Sequence, residues 1–204
     1  MSEFPKIMNL KEMAEEDIYF ARRDRELIDA MHRKKGGARE TDRRPGLRKI
    51  ISGGQTGVDR GALDVALALG IPAGGWCPRG RRALDGPIPD AYPLRETPLR
   101  DYAQRTEWNV RDSDGTLILH RRALSGGTRY TSEVAVRYER PCLEVDLSSP
   151  DPQRVWRWLE ESGIGVLNVA GPREESSPGI YAQTKAFLNA VLAPLVGTGG
   201  DDKG

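Results

Sequence analysis

The chain has 204 residues, with 31 Lys and Arg against 30 Asp and Glu and a formal net charge of +1. That length holds one substantial core and is short for two ordinary domains; the balanced charge gives no bulk pull toward nucleic acid or an anionic membrane. With no apolar run of membrane-spanning length, no apolar core at the N-terminus to make a signal peptide, and only two cysteines and two histidines, the expectation is a reduced cytoplasmic protein without a disulfide framework or a structural metal.

The first element in chain order is a charged helix from Asn9 to Lys35. Leu10, Met13, Phe20, Leu27 and Met31 recur at three- and four-residue spacing, with Asp17 and Asp24 interrupting the stripe. Acidic residues crowd its start and Arg33, Lys34 and Lys35 its end, which suits the helix dipole. The apolar stripe is narrow, so the helix needs a surface. It is expected to pack on its own domain or at the subunit interface of a homo-oligomer; the alternative is an arm that recruits a partner. Gly36 and Gly37 stop it, and a polar linker follows. The expected organisation is an accessory segment over 1–46, a ligand-binding domain over 47–196 and a disordered tail over 197–204.

From Leu47 onward, short apolar runs alternate with amphipathic stretches. Strands are expected at 48–52, 71–75, 115–119, 141–147 and 165–169. Helices are expected at 58–69, 99–111, 128–139, 152–162 and 180–195. Runs such as Thr116-Leu117-Ile118-Leu119 suit strands buried on both faces. The pattern predicts an α/β, Rossmann-like fold: a mainly parallel sheet of about five strands with helices on both faces, plus the N-terminal accessory helix. Ligands of such sheets sit beyond the C-terminal strand ends, at a topological switch point.

Polar signals gather in the loops at those ends. Ser52-Gly53-Gly54-Gln55-Thr56-Gly57-Val58-Asp59 reads as strand, tight glycine loop, helix. Glycines admit close backbone approach, and a helix N-terminus offers free N–H groups and a positive dipole end. Gly53, Gly54, Gln55, Thr56 and Gly57 thus form either an anion seat or a plain turn between strand and helix; the loop matches neither G-x-G-x-x-G nor the Walker A sequence. In the long loop after the second strand, Arg79, Arg81 and Arg82 either clamp a phosphate or form a solvated basic surface. The third strand leads to Ser125-Gly126-Gly127-Thr128-Arg129-Tyr130-Thr131-Ser132-Glu133. There Gly126, Gly127, Thr128 and Thr131 offer a second anion seat, or the threonines cap the helix. Two glycine loops at one sheet edge predict a single pocket between them, with a phosphorylated small molecule as partner. After the last strand, Asn168, Arg173 and Glu174 either reach the same cleft or serve as turn and surface charge.

Between the second and third strands lies Thr106-Glu107-Trp108-Asn109-Val110-Arg111-Asp112-Ser113-Asp114. Its carboxylates suit acid–base chemistry or a hard cation, so Glu107 and Asp114 are catalytic candidates, together with Glu133, and Asn109 is a candidate ligand contact. The competing readings are structural: a helix-ending turn for Asp112 to Asp114, a helical ion pair for Glu107 and Arg111, and a surface or capping acid for Glu133.

These motifs, together with Gly75-Trp76-Cys77-Pro78 and Asn168-Val169-Ala170-Gly171-Pro172-Arg173-Glu174, occur here in order. The set resembles the "putative molybdenum carrier" family, the circularly permuted YpsA-like branch of the LOG-like Rossmann superfamily, over about Leu47 to Leu195. The resemblance implies a Rossmann-like domain, usually oligomeric, that binds molybdenum cofactor (molybdopterin) or a nucleotide. Its enzymatic relatives, the LOG phosphoribohydrolases, carry G-G-x-G-T-x-x-E. Gly126, Gly127 and Glu133 match the first, second and last positions, while Arg129 and Tyr130 replace the later glycine and threonine. Three functions follow: a binding protein or carrier for a phosphorylated heterocycle, a nucleotide N-glycosidic or phosphate hydrolase, and a nucleotide-ligand sensor subunit. Because the glycine element is broken, the carrier leads and fast turnover of nucleoside monophosphates is not expected.

Overall fold

The computed structural model describes residues 46–196; the expected N-terminal helix, its linker and the C-terminal tail lie outside them. The described residues open with β1 (Lys49–Ile51) and α1 (Val58–Ala68), then a run of short strands: β2 (Ala73–Gly74), β3 (Trp76–Cys77), β4 (Arg82–Ala83), β5 (Gly86–Pro87) and β6 (Arg95–Glu96). There follow α2 (Tyr102–Arg111), β7 (Gly115–His120), α3 (Gly126–Arg137), β8 (Cys142–Asp146), α4 (Pro152–Glu161), β9 (Val166–Ala170) and α5 (Ile180–Val196).

Five strands form the main sheet in the order β2-β1-β9-β7-β8, every neighbouring pair parallel. Count the strands instead from β9, and the spatial order becomes 3-2-1-4-5. That is the doubly wound order with its first strand and helix moved to the end of the chain. The switch point of such a sheet falls between strands 1 and 4 of that count, here β9 and β7.

The alternation expected of buried strands organises the core. Leu117 and Leu119 of β7, Leu143 and Val145 of β8, and Leu167 and Val169 of β9 meet Val58, Ala62 and Val65 of α1, Val155 and Leu159 of α4, and Leu188 and Val191 of α5. Each of the Val and Leu side chains contributes about 1.5–3 kcal/mol when fully buried. α2 and α3 build a separate cluster through Val110, Val134 and Ala135. Asn168 and Thr116, at the alternate positions of β9 and β7, hydrogen-bond to each other within the sheet at 3.2 Å. Asn168 is therefore spent in the sheet and does not reach the cleft.

The segment after β2, read from sequence as one long loop, is more ordered than expected. β3 pairs with β6 in parallel, and β4 pairs with β5 as a hairpin. Arg81 pins it: its guanidinium donates to the carbonyls of Ile88 (2.8 Å), Pro89 (2.7 Å), Tyr92 (3.0 Å) and Leu94 (3.3 Å). Four neutral acceptors at once make Arg81 a structural clasp. Among the described residues, no helix is long and apolar enough to cross a membrane.

Candidate functional site

A cavity of about 680 Å³ opens at the switch point, walled by the loop after β7 (His120 to Thr128), the loop after β9 (Ala170 to Arg173, with Ser176 and Ser177) and the start of α2. This is the size of an ordinary small-ligand site. Among the described residues, Arg105, Arg121, Arg122 and Arg173 line it, against the one carboxylate Asp59. A wall with that imbalance favours an anion. Arg121 also ties the two loops together, donating to the Ser177 hydroxyl (2.9 Å) and the Pro178 carbonyl.

Asp59 sits in the first turn of α1 and is 3% exposed. Its Oδ2 accepts from the Gln55 N–H at 3.2 Å and from Arg105 Nη1 at 3.1 Å. Burial pushes its carboxyl above the ordinary value, and Arg105 and the hydrogen bonds oppose that shift.

The glycines of the first loop are filled by protein. A Cβ on Gly53 would lie 1.7 Å from Arg105 Nη1, and one on Gly54 would lie 2.4 Å from Leu94 Cδ1. Gly57 has φ +80°, and a Cβ there would lie 2.5 Å from the Pro172 carbonyl oxygen. The Thr56 hydroxyl donates to Glu175 at 2.7 Å. From this loop only Gln55 lines the cavity, joined by Asp59 just beyond it. The second loop differs. Gly126, Gly127, Thr128 and Thr131 all line the cavity, and a Cβ on Gly126 or Gly127 would meet nothing within 4 Å. Thr128 and Thr131 are buried, and the Thr131 hydroxyl donates back to the Gly127 carbonyl.

Helix N-termini are anion sites only when the chain has not already neutralised them. Asp101 caps α2 and Asp151 caps α4. The Glu174 carboxylate accepts from the N–H groups of Gly179 and Tyr181, at the start of α5. α1 carries Asp59 in its first turn. α3 starts at Ser125 with no side-chain cap bond and no acid in its first turn. Among the described helices it is the one whose positive end is left to the cavity.

The remaining candidates are scattered. Arg173 and Arg82 both lie over the Tyr102 ring, 5.1 and 5.3 Å from its centroid, so Arg82 stands beside the cavity through Tyr102. Arg79 lines a separate shallow cleft with Gly80, Glu96 and Arg100. Asn109 spends its amide on the Trp76 backbone, accepting at 2.8 Å and donating at 2.9 Å. Glu107 accepts from the Tyr130 hydroxyl and pairs with Arg137 at 3.3 Å; Tyr130 lines the cavity but Glu107 does not. Glu133 pairs with Arg129 on an exposed turn of α3.

Asp114 is farther still: its Oδ2 accepts from the N–H groups of Gly165 (3.0 Å) and Val166 (2.7 Å), at the N-terminal end of β9. Replacing Asp114 with alanine strips both donors. The expected result is a loss of about 1–3 kcal/mol in urea unfolding with binding of any ligand in the cavity unchanged, because the cavity is at the opposite sheet edge. The structure also adds residues that sequence reasoning missed. His120 ends β7 and Arg121 follows it at the switch point, where position alone could have flagged them. Tyr102, Arg105 and Tyr130 carried no such signal.

The Rossmann-like sheet is shared with known proteins. A model of the circularly permutated YpsA SLOG family matches residues 50–192. The chain belongs to that family. The strand order of this chain, with the first strand of the doubly wound count placed last, is itself a circular permutation of that order. A crystal structure of a protein from Syntrophus aciditrophicus SB, described as a putative molybdenum carrier protein, is similar at 46% sequence identity and a TM-score of 0.73. The match covers 74% of this chain and 98% of that one. No curated protein matches the chain.

Proposed function

We propose that the chain is a binding protein that carries a phosphorylated heterocycle, with the phosphate at the N-terminus of α3. The observation that carries the reading is the uncapped, acid-free start of α3, which opens beside four arginines in a ligand-sized cavity. The similar protein described as a molybdenum carrier makes molybdenum cofactor one ligand to consider and a nucleotide the other.

The donor set fits the organic part of that cofactor. N–H groups and guanidinium groups suit its phosphate, and Tyr102 and Tyr130 are among the residues that line the cavity its ring would enter. Among the described residues there is no group of three or more His, Cys, Asp or Glu that could hold a metal ion. When bound, the cofactor would bring its own sulfur ligands for molybdenum, and the residues lining the cavity would hold the pterin and the phosphate.

The catalytic alternative has less behind it. Among the described residues, Asp59 is the one carboxylate that lines the cavity, and Arg105 and the Gln55 N–H hold one of its oxygens. Calorimetry with a nucleoside and its 5′-monophosphate tests the reading. Each charge-assisted bond contributes about 1.5–3 kcal/mol, so the monophosphate is expected to bind at least about tenfold tighter. Equal affinities would remove the phosphate seat, and release of base or phosphate during the incubation would replace the carrier with a hydrolase.

A further inference from the structure

The arginines at the cavity are not all employed alike. Arg105 is matched by Asp59, and Arg121 spends its guanidinium on Ser177 and Pro178. The side chains of Arg82, Arg122 and Arg173 make no hydrogen bond or ion pair among the described residues. Arg122 and Arg173 line the cavity, and Arg82 stands beside it through Tyr102.

Two of these three meet at one ring. Arg173, from the loop after β9, lies 5.1 Å from the centroid of Tyr102, and Arg82, from the β4–β5 hairpin, lies 5.3 Å from it. Tyr102 is the first residue of α2, so three segments distant in sequence converge there. The ring face attracts each cation, but two guanidinium groups over one ring repel each other unless an anion joins them. The carboxylates nearest in sequence are committed elsewhere: Asp85 to Arg60, Asp101 to the Ala103 N–H, and Glu174 to the N–H groups of Gly179 and Tyr181. Contact with a ring face leaves the N–H donors of a guanidinium available to an acceptor. Arg82 is exposed and Arg173 half-buried, so a ligand can reach both.

We propose that Arg173 and Arg82 form a second anion seat at Tyr102, and that the ligand carries a second phosphate group there. The proposal rests on the phosphate reading above, which places the first phosphate at α3. A ligand with one phosphate, seated at α3, leaves the pair at Tyr102 without a counter-ion. A second phosphate group neutralises it and accepts from its N–H donors in charge-assisted bonds. The ligand class is therefore a heterocycle that bears either a diphosphate or two separate phosphates.

Titration calorimetry on the full chain, in magnesium-free buffer, with adenosine 5′-monophosphate, adenosine 5′-diphosphate and adenosine 3′,5′-bisphosphate tests this. The three share base and ribose and differ in the second phosphate. At least one of the two-phosphate ligands is expected to bind about tenfold or more tighter than the monophosphate. A gain with the diphosphate supports seats side by side, and a gain with the bisphosphate alone supports seats set farther apart. Arg82→Gln and Arg173→Gln should each lose most of that gain. The Arg82 side chain makes no hydrogen bond, so thermal unfolding of Arg82→Gln should match that of the natural chain and exclude misfolding as the cause. Arg79→Gln removes the same charge from the separate cleft and should keep the gain. If neither two-phosphate ligand binds more tightly than the monophosphate, the second seat is wrong and the phosphate reading stands. If none of the three binds, both are wrong. A gain that survives in Arg82→Gln and Arg173→Gln, or that falls as far in Arg79→Gln, comes from the overall positive field and overturns the assignment to Tyr102.

Discussion

Replacing Arg105 with methionine is expected to destabilise the fold by about 3–5 kcal/mol at pH 7.5, the usual loss when one partner of a buried ion pair is removed. Arg105 is the cation that neutralises Asp59, and their side chains are 15% and 4% exposed. Burial already raises the Asp59 carboxyl above its ordinary 3.8, with Arg105 the first of the influences pulling it back down. The sign of the pH dependence follows. Between the ordinary value and the raised one, the folded chain holds more proton on Asp59 than the unfolded chain does. Stability therefore falls as pH rises through that window and levels off above it. Without Arg105 the folded value moves further up, so the window widens and the loss is complete only above it. Urea unfolding at pH 7.5 and pH 5 should show the deficit of Arg105→Met shrinking in acid. Adding Asp59→Asn to the variant should recover most of the loss at pH 7.5. A deficit that is the same at both pH values would mean that Arg105 acts through packing and not through charge.

That pair also marks where sequence reasoning ends. The five strands of the main sheet and the five helices were legible, because runs such as Leu117-Ile118-Leu119 are bounded by turn residues and separated by amphipathic stretches. The strand order was not, since apolar runs do not say which of them are neighbours. The two-residue strands at Trp76 and Arg95 were hidden as well: their pairing spans nearly twenty residues of Pro- and Gly-rich chain with no alternation to read. For the site, the composition of a loop indicated what it could bind but not what already fills it. The glycines at 53, 54 and 57 look like an anion seat in sequence, and in the structure Arg105, Leu94 and the loop after β9 occupy the space above them. Glu174 looks like surface charge and meets N–H groups at the start of α5. Asp114 and Asn109 have polar side chains of the right chemical type, committed to backbone groups 51 and 33 residues away. Contacts at such separations are tertiary, and residue type and spacing do not encode them.

The proposed phosphate seat can be tested by closing it with the chain's own chemistry. Ser125 is the N-cap of α3, extended at φ −143° and ψ 163°, and its side chain makes no capping bond. Ser125→Asp places a carboxylate where the other helices already have one. Aspartate is as good an N-cap as serine, and a negative charge at a helix start contributes about 0.3–1 kcal/mol, so thermal unfolding should show the variant at least as stable as the natural chain. Affinity for ribose 5-phosphate should fall by about tenfold to a hundredfold, the equivalent of one charge-assisted bond of about 1.5–3 kcal/mol together with direct repulsion. Opposite movements of stability and affinity separate this outcome from misfolding, which would lower both. Glu174→Gln serves as the control at α5. It weakens the carboxylate that meets the start of that helix, and if the phosphate sat there the variant would bind more tightly. Unchanged affinity in Glu174→Gln beside a large loss in Ser125→Asp assigns the anion to α3. Unchanged affinity in Ser125→Asp would mean that the arginines hold the phosphate without the helix.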